Sequence, residues 1–212
     1  MAGSLSQQPN WKQAQVHEMV MSGKKLVISL PGNISADIPQ QFESNLNIYD
    51  STLYGDWKRY EAAKVWWDYK KRVLLVMSEL LGTLELRIAI YMAPNMTSNS
   101  NLNLLEQGGL KLGMQQLMQQ LMREAYPEPE NADQVPQDFE QVKINSVDWV
   151  KYVKKSKGST SDKLCYAVVL TGDRLLEISF RMIETMGRGD AVLYVQAQSD
   201  IEQIMNSVKV AE

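Results

Sequence analysis

Residues 163–181 read KLCYAVVLTGDRLLEISFR, and residues 190–210 read DAVLYVQAQSDIEQIMNSVKV. The first stretch is two runs of strand-forming residues around Thr171-Gly172-Asp173, whose turn chemistry predicts a tight hairpin. The second spaces its apolar residues as one face of an amphipathic helix and ends in a short closing strand. Between them lies a glycine-rich break at Gly187-Arg188-Gly189. Hairpin, break, helix and closing strand together predict an α+β fold: an antiparallel twisted sheet with helices packed mainly on one face.

Working outward, the 83–92 stretch alternates. Leu84, Leu86, Ile88 and Ile90 interleave with Glu85, Arg87 and Ala89, the pattern of an antiparallel strand with one buried face and one more polar face. Further strands are expected at 26–31, ending on Pro31, and near 46–50, 62–69 and 73–79. The 56–66 stretch also reads as a helical turn. The pattern resumes at FEQVKINSVDWVKYV after Asp138. The adjacent Trp66 and Trp67 must point to opposite sides of any strand that carries them, so one is core and the other needs a cover. Residues 1–22 are polar and read as an N-terminal tail or short helix, leaving 23–212 as a single domain.

Between about 95 and 140 the chain departs from strand patterning. Met114, Met118 and Met122 recur every fourth residue with Leu110, Leu117 and Leu121, which predicts a Met-rich inserted helix over 102–126. Its apolar face either packs on the sheet or forms a wall of a partner-binding groove, since methionine adapts to varied apolar surfaces. An acidic, proline-containing segment follows. Residues 127–140 hold Glu128, Glu130, Asp133, Asp138 and Glu140 and no basic residue, against a whole-chain net charge of −3. Such a block is either solvated or docks on a basic partner.

The chemistry is sparse. The only histidine, His17, lies in the polar N-terminal stretch outside any nucleophile motif and reads as solvent-exposed. The only cysteine, Cys165, sits in an apolar strand and behaves as a small hydrophobe. One cysteine and one histidine build neither a disulfide nor a Cys- or His-rich metal site. No run approaches eighteen apolar residues, so no transmembrane helix is expected, and no basic face points to nucleic acid. Catalytic, metal and cofactor residues are expected to be none.

The terminal module resembles the end of PsbP-like domains, a superfamily that includes the bacterial DcrB-type proteins and the chaperones of type VI secretion effectors. The resemblance rests on LCYAVVL, LLEISF, the helix QSDIEQIMNSV and the closing Ser207-Val208-Lys209-Val210. LVISLP resembles the opening strand of those domains, and INSVDWVKY a mid-sheet strand with an aromatic anchor. It implies a bacterial, non-enzymatic accessory protein, such as an effector chaperone or immunity protein, whose partner is a protein, for example a secreted effector or toxin. Candidate partner contacts are Trp66, Trp67, Met114, Met118, Met122, Glu128, Glu130 and Asp133. The expected location is the periplasm or envelope with a signal removed, or else the cytoplasm. The rival readings are an envelope protein that binds a lipid or small apolar ligand, and a carboxylate-dependent hydrolase.

Overall fold

The computed structural model describes residues 5–37, 52–54, 57–74, 77–92, 118, 136, 138–155, 161–172, 174–185 and 190–211. Its elements are β1 (Leu5–Gln7), β2 (Asn10–Met21), β3 (Lys24–Gly32), β4 (Ser35–Asp37), β5 (Thr52–Tyr54), β6 (Trp57–Leu74), β7 (Met77–Met92), β8 (Phe139–Ile144), β9 (Val147–Lys154), β10 (Lys163–Thr171), β11 (Arg174–Glu184), α1 (Ala191–Ser207) and β12 (Lys209–Ala211).

The protein is mostly antiparallel β, and this corrects the α+β expectation. A nine-stranded sheet runs β1-β6-β7-β11-β10-β9-β8, with β4 and β5 also pairing β6. A three-stranded sheet runs β12-β3-β2. Only one helix, α1, has its full span among the described residues. Among the described residues, the layer over the core is supplied mainly by strands rather than by helices. The three-stranded sheet and α1 together cover one face of the large sheet, and all three close on one core. That core holds Met19, Met21, Leu26, Ile28 and Leu30 from the small sheet. The large sheet contributes Val65, Trp67, Leu84, Leu86, Ile88, Ile178 and Phe180, and α1 contributes Leu193, Ala197, Ile201 and Ile204.

A second correction concerns the N-terminus. Residues 10–21 form neither tail nor helix but β2, paired with β3 from Gln15↔Leu30 to Met21↔Lys24. Met19 and Met21 turn inward while Val16, Glu18 and Val20 turn out. Two apolar anchors were too few to show a period in a polar stretch, and the pairing with β3 is what fixes the conformation. His17 is half-buried on this strand rather than fully exposed, and burial lowers its pKa. The β2–β3 turn, Ser22-Gly23, and the β8–β9 turn, Asn145-Ser146, both have two consecutive positive φ values (55° and 78°, 47° and 69°). Two positive φ values in a two-residue loop make the turn whose twist matches a hairpin.

The central strands are longer than their sequence pattern suggests. The 62–69 and 73–79 runs are not separate strands: most of this stretch belongs to β6, and β7 begins at Met77. The 56–66 stretch is strand from Trp57 onward, not a helical turn. The expected strand at 46–50 lies outside the described residues. The long edge of β6 is covered in pieces: β5 pairs at 57–59, β4 at 64–66 and β1 at 70–71. Short covering strands of this kind protect an edge from pairing with other chains.

The terminal module folds as hairpin, helix and strand, but it spans both sheets. β10 and β11 lie within the large sheet, α1 crosses over the core, and β12 pairs with β3 in the small sheet. Asp190 caps α1 by accepting from the backbone N–H of Val192 (2.9 Å) and Leu193 (3.4 Å). At the other end Asn145 Nδ2 donates to the carbonyls of Asn206 (2.9 Å) and Val208 (2.6 Å), tying the β8–β9 turn to the helix end. α1 packs on β7 where Gly82 offers no side chain. A Cβ there would meet the Ile183 carbonyl oxygen at 2.8 Å and Leu193 Cδ2 at 3.2 Å.

Candidate functional site

Strand parity divides the large sheet into two faces. Leu84, Leu86, Ile88 and Ile90 look into the core just described, and the register carries that face through Phe180, Ile178 and Leu176. The opposite face takes Tyr91, Arg87 and Glu85 from β7, Glu177 and Ser179 from β11, Cys165 from β10, and Tyr152 and Lys154 from β9. This second face is polar in composition, yet Glu177, Tyr91, Tyr152 and Cys165 on it are all buried.

Its centre is Glu177. Lys154 Nζ lies 2.5 Å from Glu177 Oε2, with the two side chains 12% and 4% exposed. Tyr152 Oη donates to Oε2, and Tyr91 Oη donates to Oε1 at 3.3 Å. Arg59 Nε donates to Tyr91 Oη at 3.3 Å. The Lys154 ammonium also lies 5.4 Å from the Tyr91 ring centre and 5.7 Å from that of Tyr152, within cation–π range. Beside this cluster Arg87 contacts Glu85 (2.8 Å) and Glu61 (3.2 Å), and Arg59 contacts Glu61 at 3.0 Å.

Burial alone would push the Glu177 carboxyl up. The Lys154 charge and the hydrogen bonds from Lys154 and Tyr152 outweigh it and hold the carboxyl below its ordinary value. Burial works against the Lys154 cation, but Glu177 outweighs it and raises the ammonium above its usual value. Burial and then Glu177 push Tyr91 up to about 12. The same two causes raise Tyr152 well above its usual value and raise the Cys165 thiol. At neutral pH the cluster is therefore one carboxylate, one ammonium, two neutral phenols and a neutral thiol. General acid–base work needs a group poised near the operating pH, and this arrangement instead locks each group in one state.

Another buried carboxylate lies on the core side. Asp200 of α1 accepts from Trp11 Nε1 (2.7 Å) and Gln196 Nε2 (3.2 Å) on Oδ1, and from Tyr69 Oη (2.7 Å) on Oδ2. All three donors are neutral. Burial raises its pKa, and the three hydrogen bonds only partly offset that. Burial therefore disfavours the anion, and the fold bears that cost once rising pH ionises the group. Stability conferred by the protonated form falls as pH rises from the unfolded Asp range, about 3.9, through the higher folded value. We predict that Asp200→Asn becomes progressively more stable relative to wild type over that window. The gain is about 1.4 kcal/mol per unit of separation between the two pKa values. Urea unfolding across acid to neutral pH measures it, and a constant difference between the two proteins refutes it.

The candidates read from sequence separate. Trp67 is fully buried in the core, its Nε1 donating to the Pro31 carbonyl at 3.3 Å, so it is no surface contact. Trp66 takes the other face, half-buried, with Lys64 Nζ 5.6 Å from its ring centre. Met118 is helical and fully buried, with its sulfur 3.2 Å from Tyr152 Oη, so it packs on the second face of the sheet rather than lining a groove. Met114, Met122, Glu128, Glu130 and Asp133 lie outside the described residues. Among the described residues no group of three or more His, Cys, Asp or Glu could hold a metal ion, and no helix is long and apolar enough to cross a membrane.

No protein-family model matches this chain, and no curated protein matches it in sequence. The two carboxylates are thus known from their own geometry alone. Sequence reasoning missed both, although each left a trace. Glu177 interrupts the apolar run LLEISF, and Asp200 falls on the buried stripe Leu193, Ala197, Ile201, Ile204 of α1. For Asp200, an acid on the core stripe of a helix signals a buried partner.

Proposed function

We propose that the chain is a non-enzymatic protein-binding accessory protein of bacteria, of the kind that chaperones or neutralises a secreted effector or toxin, working in the periplasm or envelope. The observation that carries this reading is the outward side of α1. Its first two turns expose Val192, Tyr194 and Val195, the last at 72%, while Leu193, Ala197 and Ile201 anchor the helix to the core. Apolar side chains grouped on one side of a fixed helix suit a protein partner. The saturated Glu177 cluster supports the non-enzymatic part, since its ionisable groups are already committed to one another. Trp66 and the acidic residues Glu128, Glu130 and Asp133 are the further contacts proposed.

Val195→Asp is the test. The side chain is mostly outside the core, so the thermal midpoint should hold within about 2 °C, as for a surface change. A pull-down from the native organism should retain a stoichiometric protein on the wild-type chain and at least tenfold less on the variant. Equal retention by both removes α1 from the proposal. A co-purifying lipid in place of a protein replaces the proposal with ligand binding.

A further inference from the structure

β6 and β7 run past the rest of the large sheet at one end. β1 pairs with β6 no further than Lys71, and β11 pairs with β7 no further than Gly82. Beyond Lys71, Arg72 faces Ser78 and Leu74 faces Met77, with no third described strand beside them. The end of the β6–β7 hairpin is thus a two-stranded projection. Val73 on it is 56% exposed and Met77 60%. Leu74, Leu75 and Val76 complete an apolar run in the sequence, where a solvated hairpin link ordinarily carries Gly, Asn or Asp. Lys70, Lys71 and Arg72 precede that run without a break. None of the three side chains forms an ion pair among the described residues, and Glu79, across from Lys71, is the single acid within 69–80.

We propose that the end of this hairpin docks on the surface of a membrane that contains anionic lipid. Val73 and Met77 enter the interface, and Lys70, Lys71 and Arg72 meet the headgroup phosphates. The order of the residues favours a bilayer over an acidic protein. The apolar residues lead, and the cations follow Val73 by one to three positions, about 3–10 Å at the rise of a strand. A bilayer stacks its acyl boundary and its charged headgroups in that order and over a comparable depth, about 5–10 Å. Each Lys or Arg close to an anionic leaflet adds to the attraction, and long cationic side chains reach back to the phosphates while their stems stay in the apolar layer. The ladder between the two strands keeps their backbone groups paired as they approach the apolar phase. The surface is separate from the outward side of α1 and stands independently of the partner proposed there.

Co-sedimentation of the purified chain with lipid vesicles tests this. At low salt the chain should pellet with vesicles of phosphatidylcholine and phosphatidylglycerol, and at least about tenfold less with phosphatidylcholine alone. Lys70→Glu with Arg72→Glu should remove that preference. Val73→Asp with Met77→Asp should lower binding to the anionic vesicles at least about tenfold. Its thermal midpoint should hold within about 2 °C, because both side chains already stand in solvent. A polarity-sensitive dye on Val73→Cys should shift to the blue on the anionic vesicles, with the buried native Cys165 leaving the wild-type chain unlabelled. A chain that pellets with neither vesicle overturns the proposal. So does binding indifferent to Val73→Asp with Met77→Asp, or a dye at 73 that does not shift, which would leave adsorption by charge alone. A solution dimer that those two aspartates dissociate also overturns it, because a second copy would then cover the hairpin end.

Discussion

Glu177→Ala lowers the unfolding free energy by about 3–5 kcal/mol, the range for removing one partner of a buried ion pair. The cause is what the substitution leaves behind. Lys154 would stay beneath the same cover with its ammonium facing two phenol rings and no anion, and Tyr152 and Tyr91 would each lose their acceptor. Lys154→Met alone is expected to cost a comparable amount, because the Glu177 carboxylate is then the orphan. The double variant Lys154→Met with Glu177→Gln should cost clearly less than the two single changes summed, because the glutamine amide keeps an acceptor for Tyr152 and no charge remains buried. Urea unfolding of the four proteins measures this, and strict additivity would refute the coupling. The pH profile follows from the lowered Glu177 carboxyl. Its contribution is present above the unfolded Glu range, about 4.3, and disappears as pH falls through the lower folded value. Asp200 acts in the opposite direction, so acid removes one contribution while relieving the other cost.

Trp67→Ala is the second large effect, with an expected loss of about 3–5 kcal/mol. The indole is fully buried, and its N–H reaches the Pro31 carbonyl at the end of β3. Alanine would leave a cavity between the large and small sheets and an unpaired carbonyl beside it. Trp67→Phe should lose less, since it keeps much of the ring volume and gives up only the hydrogen bond and the remainder of the indole. Trp66→Ala, one residue away, should change stability by less than half as much, because that side chain is only half-buried on the opposite face. Equal losses at 66 and 67 would refute the assignment of the two faces. Against a typical total stability of about 5–15 kcal/mol, either Trp67→Ala or Glu177→Ala would put the fold near its limit.

The Trp66–Trp67 contrast shows how much was legible before folding. Strand geometry alone requires opposite faces, but which tryptophan enters the core depends on where Pro31 and α1 lie. The same holds for Met118. Its four-residue spacing with Met114 and Met122 signals a helical apolar face, while its role as a buried neighbour of Tyr152 depends on β9, distant in sequence. The ionic cluster is harder to read because its members come from four strands: Arg59 from β6, Tyr91 from β7, Tyr152 and Lys154 from β9, and Glu177 from β11. Each residue alone looks like an ordinary polar position on a half-exposed strand.

The amino-acid sequence by itself determined the local elements of the terminal module. The β10–β11 hairpin, the helix and the closing β12 follow from turn residues and the period of the apolar residues, which act within a few residues. Only the tertiary structure decided that β2 is a strand, that the layer over the core is a second sheet with one helix, and that Glu177 and Asp200 are buried. Those outcomes depend on backbone pairing and charge contacts between segments far apart in the chain: Met21 with Lys24 and Gln15 with Leu30 in the small sheet, Trp11 with Asp200 across the core, and Lys154 with Glu177 on the far face. Local propensity and period carry no record of such partners, because what stabilises these residues is supplied by the rest of the fold.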